Sequence, residues 1–144
     1  AGLELQRSRR YNHPLTLLML DADHFKAVND TQGHASGDEV LRQLVRAVRQ
    51  ELRGNDLIGR LGGEEFAVLL PETHQRAADA VAWRLCERLR DLRLTGNDGV
   101  FGITVSIGVA ARESWEDTLE ILLQRADQAL YRAKAEGRDR VCTS

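Results

Sequence analysis

Between Pro14 and Asp21 the chain reads Leu15-Thr16-Leu17-Leu18-Met19-Leu20, with Thr16 the only polar interruption. A short run without alternation has no face to turn toward water, so it predicts a central strand covered on both sides. That commits the fold to layers packed on each face of a sheet. The run ends at Asp21, with Asp23 close behind, so two acids stand at one end of a buried element.

Ser36-Gly37-Asp38-Glu39 has the spacing of a capping box, in which Ser36 caps a helix and Glu39 reaches back to it. The apolar stripe Val40, Leu41, Leu44, Val45, Val48 and Leu52 predicts that helix, and Gly54-Asn55 ends it. Leu57 to Leu61, the pair Gly62-Gly63 and then Glu64 to Leu70 predict two strands joined by a tight glycine turn. A second helix is expected from about Gln75 to Leu92, with Val81, Leu85 and Leu89 facing inward. Thr95 to Gly99 has loop composition. Ile103, Val105, Ile107 and Val109 alternate with Thr104, Ser106 and Gly108, the period of a half-buried strand. A last helix carries Leu119, Leu122, Leu123, Ala126, Leu130 and Ala133 on one face and ends at Gly137.

The order strand, helix, strand, strand, helix, strand implies an α+β fold. Its expected form is a ferredoxin-like, split βαβ antiparallel central sheet flanked by helices, of the nucleotidyl-cyclase or palm type. That topology sets the first strand between the third and the fourth, antiparallel to the third. Asp21 and Asp23 then come beside Glu64 and Glu65 at one edge of the sheet. Clustered carboxylates repel, and a cation between them relieves the repulsion. With only oxygen ligands on offer, Mg²⁺ or Mn²⁺ is favoured over zinc, in the role of bridging substrate phosphates.

The 144 residues suit a single domain covering 1–144. A formal net charge of −2 gives no electrostatic reason to expect duplex nucleic acid or a membrane as partner. Cys86 and Cys142 have neither CxxC nor metal spacing and read as reduced thiols of a cytosolic domain. Leu3, Leu5, Arg7, Arg9 and Arg10 read as the tail of a helix. The chain is therefore expected to be a piece of a longer protein with a regulatory region upstream.

The segments DADHFKAVND at 21–30, GHASGDEVL at 33–41, RLGGEEF at 60–66, TVSIGVA at 104–110 and RADQALYRAKAEGRDRV at 125–141 resemble the successive signatures of the GGDEF domains. They stand in that family's order and spacing from about Pro14 to Val141. The resemblance implies a diguanylate cyclase, which condenses two GTP into cyclic di-GMP at a metal-dependent site between two protomers. It implies that Asp21, the carbonyl of Ala22, Glu64 and Glu65 hold the metal, and that Glu64 helps deprotonate the attacking hydroxyl. Asn29 and Asp38 match the guanine-recognising positions. Gly62, Gly63 and His34 fall in the nucleotide-binding stretches, while Lys26 and the backbone at His24 and Phe25 can cradle phosphates. Lys134 and Arg138 match positions that contact the triphosphate. Without the family they read as solvated cations at a helix end, and Asp38 as an acid at a helix start.

Arg53-Gly54-Asn55-Asp56 resembles the family's inhibitory RxxD product site, with Arg84 in the place from which a further arginine joins. Two departures stand out: Asp139 where the family often has Asn, and no DxLTGLxNR-like opening stretch. The alternative is a GGDEF domain weak or inactive in catalysis that binds cyclic di-GMP or GTP as an effector. A nucleotidyl cyclase of other specificity is a further rival, against which Asn29 and Asp38 argue for guanine.

Overall fold

Leu15–Ala22 forms strand β1, and every residue of it is buried, as the apolar run requires. The computed structural model describes residues 13–144, so the helix tail expected at Leu3 to Arg10 lies outside the described residues. Strand β1 is flanked by β3 (Glu65–Pro71) and β6 (Val105–Ala111), both antiparallel to it. Strand β2 (Leu57–Gly62) folds back on β3 as a hairpin. The strand order β2-β3-β1-β6, continued past β6 by a short C-terminal strand, contains the split βαβ arrangement expected from the sequence. Strand β7 (Val141–Thr143) is an addition. It pairs parallel to β6, so the five-stranded sheet is mixed and not wholly antiparallel. A three-residue strand is too short to carry a periodic signal.

Helices α2 (His34–Glu51) and α3 (Gln75–Arg90) cover one face of the sheet, and α4 (Leu119–Ala135) covers the other. Leu18, Leu20 and Ala22 share a cluster with Leu44, Val48, Leu85 and Leu89. Leu15, Leu17 and Met19 pack instead with Leu122, Ala126 and Leu130. Alternation along β1 therefore carries Asp21 to the α4 face.

The expectation of a half-buried last strand is corrected here. Ser106, Gly108 and Ala110 are buried, as Val105, Ile107 and Val109 are, because α4 lies on them. A Cβ at Gly108 would stand 2.1 Å from the carbonyl oxygen of Ala126, so the small residues on this face mark close helix approach and not solvent. The capping box is also corrected. Helix α2 begins two residues earlier than Ser36, with Gly33 as its uncapped start, and Glu39 instead accepts from Gln43 (2.8 Å) and Arg42 (3.1 Å).

Besides β7, a helix and a hairpin escaped the sequence. Helix α1 (Phe25–Gln32) buries none of its residues fully and so shows no stripe. The expected loop at Thr95 to Gly99 is a small hairpin of β4 (Leu94–Gly96) and β5 (Gly99–Phe101). The two meet where Phe25 and Val28 pack with Val40, Leu94 and Ile103. Cys86 and Cys142 are both free, and burial pushes the Cys86 thiol up to about 12. Among the described residues no helix is long and apolar enough to cross a membrane.

Candidate functional site at the acidic end of the sheet

The antiparallel register sets Asp21 directly opposite Glu65. One step on, the Ala22 N–H donates to the Glu64 carbonyl (3.4 Å), which ties the end of β1 to the hairpin turn. The turn is displaced by one residue from its expected place. Strand β3 starts at Glu65, leaving Gly63 and Glu64 in the bend. Gly63 has φ 47°, a region that glycine enters without steric cost. Arg60 Nε donates to the Gly63 carbonyl (2.9 Å) and braces the bend. Glu64 and Glu65 are both half-buried.

Asp21 is 4% exposed, and its carboxylate pairs with the ammonium of Lys134, which α4 brings down from the opposite layer. Burial pushes the Asp21 carboxyl above its ordinary value, the Lys134 hydrogen bond and charge partly offset this, and the Glu64 and Glu65 charges add to the rise. The sequence places Lys134 and Arg138 on one helix side. In the structure α4 stops at Ala135, and Arg138 lies in the turn beyond it with φ 64°. Asp21, Glu64 and Glu65 form an all-oxygen donor set whose mutual repulsion a hard cation would relieve. Among the described residues, however, no three His, Cys, Asp or Glu side chains are gathered as a ready metal cage.

Asp23, grouped by sequence with the strand-end acids, has different surroundings. It is 5% exposed and accepts from Thr104 Oγ1 (2.6 Å), Ser106 Oγ (2.6 Å) and the Asp139 N–H (3.0 Å). No local sequence signal marks this role, since its partners lie more than eighty positions away.

Asn29 on α1 lies against the first turn of α2. A Cβ at Gly37 would stand 1.8 Å from Asn29 Oδ1, so any larger residue there would have to displace the amide from its place next to Asp38. Asp38 is exposed and borders a groove of about 820 Å³ floored by Leu41, Val45, Ile58 and Phe66. Arg42, Arg46, Arg49 and Arg60 line the same groove, which is thus apolar below and basic at its rim. His24, Lys26 and His34 are exposed at the starts of α1 and α2, and Phe25 is half-buried. His24 itself has φ 55° and caps α1 without a side-chain bond.

The RxxD segment is closed on itself. The Arg53 N–H donates to Asp56 Oδ2 (2.9 Å), and Arg53 Nη2 stands 3.6 Å from Asp56 Oδ1 and donates to Thr73 Oγ1 (2.7 Å). Asp56 Oδ1 is buried with no hydrogen-bond donor among the described residues. Arg84 is engaged elsewhere. It turns to Glu51 (3.4 Å), which Arg88 also holds (3.0 Å).

The family model described as diguanylate cyclase, GGDEF domain, matches residues 2–140. The chain is 43% identical over 137 residues to the probable diguanylate cyclase DgcC of Escherichia coli K12, covering 95% of this chain and 37% of that protein. It thus spans little more than a third of that curated relative. Among solved structures it is similar to the active GGEEF domain of a diguanylate cyclase from Vibrio cholerae, with TM-score 0.91, 32% identity, and 99% and 90% of the two chains covered. It is also similar to the GGDEF domain of DgcB from Caulobacter crescentus in complex with c-di-GMP, with TM-score 0.93, 30% identity, and 99% and 84% covered. The likeness covers the segments that bring Asp21, Glu64 and Lys134 to one end of the sheet, and the chain belongs to the GGDEF, diguanylate cyclase domain family.

Proposed function

We propose that this domain condenses two GTP molecules into cyclic di-GMP and two pyrophosphates, with two protomers face to face and one GTP on each. The observation that carries this proposal is the meeting of Asp21, Glu65 and the Glu64 turn with Lys134 from the opposite layer. Acids able to hold a divalent cation and a cation able to hold phosphate stand at one point, as transfer to a nucleotide α-phosphorus requires.

Asn29 and Asp38 would recognise guanine, whose N1–H and N2 amino group suit a carboxylate acceptor that adenine cannot satisfy. The triphosphate would lie toward Lys134 and Arg138, with Lys26 and the backbone at His24 and Phe25 alongside, and Gly62 and Gly63 leaving room for its approach. Asp21, the Ala22 carbonyl, Glu64 and Glu65 would hold Mg²⁺ or Mn²⁺, and Lys134 would pass from Asp21 to the phosphates. When bound, the cation supplies Lewis-acid polarisation of the phosphate oxygens and offsets charge on the leaving pyrophosphate. The 3′-oxygen of one GTP forms the new bond to the α-phosphorus of the other, and the bond to pyrophosphate breaks. Glu64 would take the hydroxyl proton.

Product would return to Arg53 and Asp56 as an inhibitor. The buried Asp56 Oδ1 supports this, because among the described residues it has only the ion-pair contact with Arg53 and no hydrogen-bond donor, so it can accept from a guanine N–H. Arg84 would have to leave Glu51 to join. The substrate is a cytosolic nucleotide, so the domain would work in the cytosol, under a sensory or receiver region elsewhere in the full-length protein.

Two observations favour a second reading, binding of GTP or cyclic di-GMP without turnover: Lys134 already neutralises Asp21, and no metal cage is preformed among the described residues. Incubation with GTP and Mg²⁺ over a range of protein concentrations, with cyclic di-GMP followed by liquid chromatography, separates the two. Product rising faster than linearly with protein supports the dimeric cyclase. Absence of product while GTP still binds supports the effector.

A further inference from the structure

Asp23 is a buried carboxylate close to a site meant for phosphates, where its charge alone is adverse. None of its three hydrogen-bond donors is a cation. Two of them, the Thr104 and Ser106 hydroxyls, belong to the entry of β6, and the Asp23 N–H also donates to the Thr104 carbonyl (2.9 Å). The third is the Asp139 N–H, in the turn that follows α4.

That turn is sterically costly. Arg138 (φ 64°) and Asp139 (φ 50°) are successive non-glycine residues in the left-handed region. Such a conformation persists where its surroundings hold it. The Arg138 N–H donates to the Ala133 carbonyl (2.9 Å), and Arg90 Nε on α3 donates to both Asp139 oxygens (3.0 and 3.2 Å). Asp139 is therefore gripped at its side chain by exposed Arg90 and at its backbone by buried Asp23. The grip through Asp23 ties the turn to the residues that follow Asp21.

We propose that Asp23 is a positioning residue for the substrate phosphates: anchored on Thr104 and Ser106, it fixes the left-handed Arg138–Asp139 turn so that Arg138 and Lys134 meet the triphosphate. This rests on the assignment of Arg138 and Lys134 to the triphosphate. Geometry and not charge is the essential contribution of Asp23. An asparagine keeps one oxygen for the Asp139 N–H and the Thr104 hydroxyl, while the Ser106 hydroxyl can rotate to accept from the amide nitrogen.

The test measures, by calorimetry on the full chain, binding of guanosine and of a GTP analogue with a methylene bridge between the α and β phosphorus atoms. Asp23→Ala is expected to weaken the analogue about tenfold or more while guanosine binding stays unchanged. Asp23→Asn is expected to stay within about threefold of the parent for both ligands. Equal losses for both ligands would make Asp23 merely structural, and an unchanged analogue affinity, or an asparagine no better than alanine, would also overturn the proposal. Should Asp23→Ala fail to fold, Thr104→Val removes one anchor at constant shape and is expected to weaken the analogue alone. Arg138→Ala separates the two levels: if it keeps full analogue affinity, the triphosphate assignment itself fails. If it loses affinity where Asp23→Ala does not, only the positioning role fails.

Discussion

Lys134 and Asp21 are 113 positions apart in sequence, and their charged groups pair at the end of the central strand. Asp21 is buried and its carboxyl is held above the ordinary value of 3.8, so ionised Asp21 opposes folding as pH rises through that raised value. Lys134→Ala removes the offsetting charge and is expected to destabilise the fold by about 1 to 2 kcal/mol at neutral pH, less than for a fully buried pair because Lys134 is partly exposed. The loss should shrink as pH falls through the raised Asp21 value, where the carboxyl takes up a proton. Urea melts of both proteins at several pH values check this; a penalty that grows on acidification would contradict it.

Glu64 lies in the hairpin bend, where its replacement disturbs no packing cluster. Glu64→Ala should leave the circular dichroism melt unchanged and lower cyclic di-GMP formation by at least about a hundredfold. Near-normal turnover by the folded variant would remove Glu64 from the chemistry.

The Arg53 side chain is 66% exposed, yet it bridges Asp56 and Thr73. Arg53→Ala should cost little stability but weaken cyclic di-GMP binding about tenfold or more, as calorimetry can measure. Unchanged affinity would dispose of the product site.

Gly37→Ala places a methyl on Asn29 Oδ1 and must push that amide aside. A loss of GTP affinity of about tenfold is expected, with guanine discrimination over adenine reduced in parallel. Competition binding with GTP and ATP reads both quantities at once.

Gly108→Ala meets backbone, not a flexible side chain, at 2.1 Å from the Ala126 carbonyl and 2.4 Å from the Leu130 nitrogen. Helix α4 must lift from the sheet, and a destabilisation of about 3 kcal/mol is expected in urea unfolding. A fully stable variant would show that α4 does not press on the Gly108 backbone.

The local rules in the chain reach a long way here. The Leu15 to Leu20 run dictated a doubly covered strand, and the stripes from Val40 to Val48 and from Leu119 to Ala133 dictated helices. Element order then dictated which strands flank β1, and with it the meeting of Asp21 with Glu65. These follow from periodicity and connection rules that act on neighbouring residues. The small residues of β6 misled for a physical reason. Ser106 and Gly108 look solvent-facing by polarity or lack of side chain, but their size admits α4.

By itself, the sequence determined the layers, the sheet neighbours of β1 and the meeting of the Asp21 end of β1 with Glu64 and Glu65. The tertiary structure alone decided how those residues are used: Lys134 is committed to Asp21, Arg84 to Glu51, and Asp23 to a turn more than a hundred positions away. Pairings of this kind depend on where a side chain lands after distant elements have packed. That is a property of three-dimensional proximity, and no spacing along the chain encodes it.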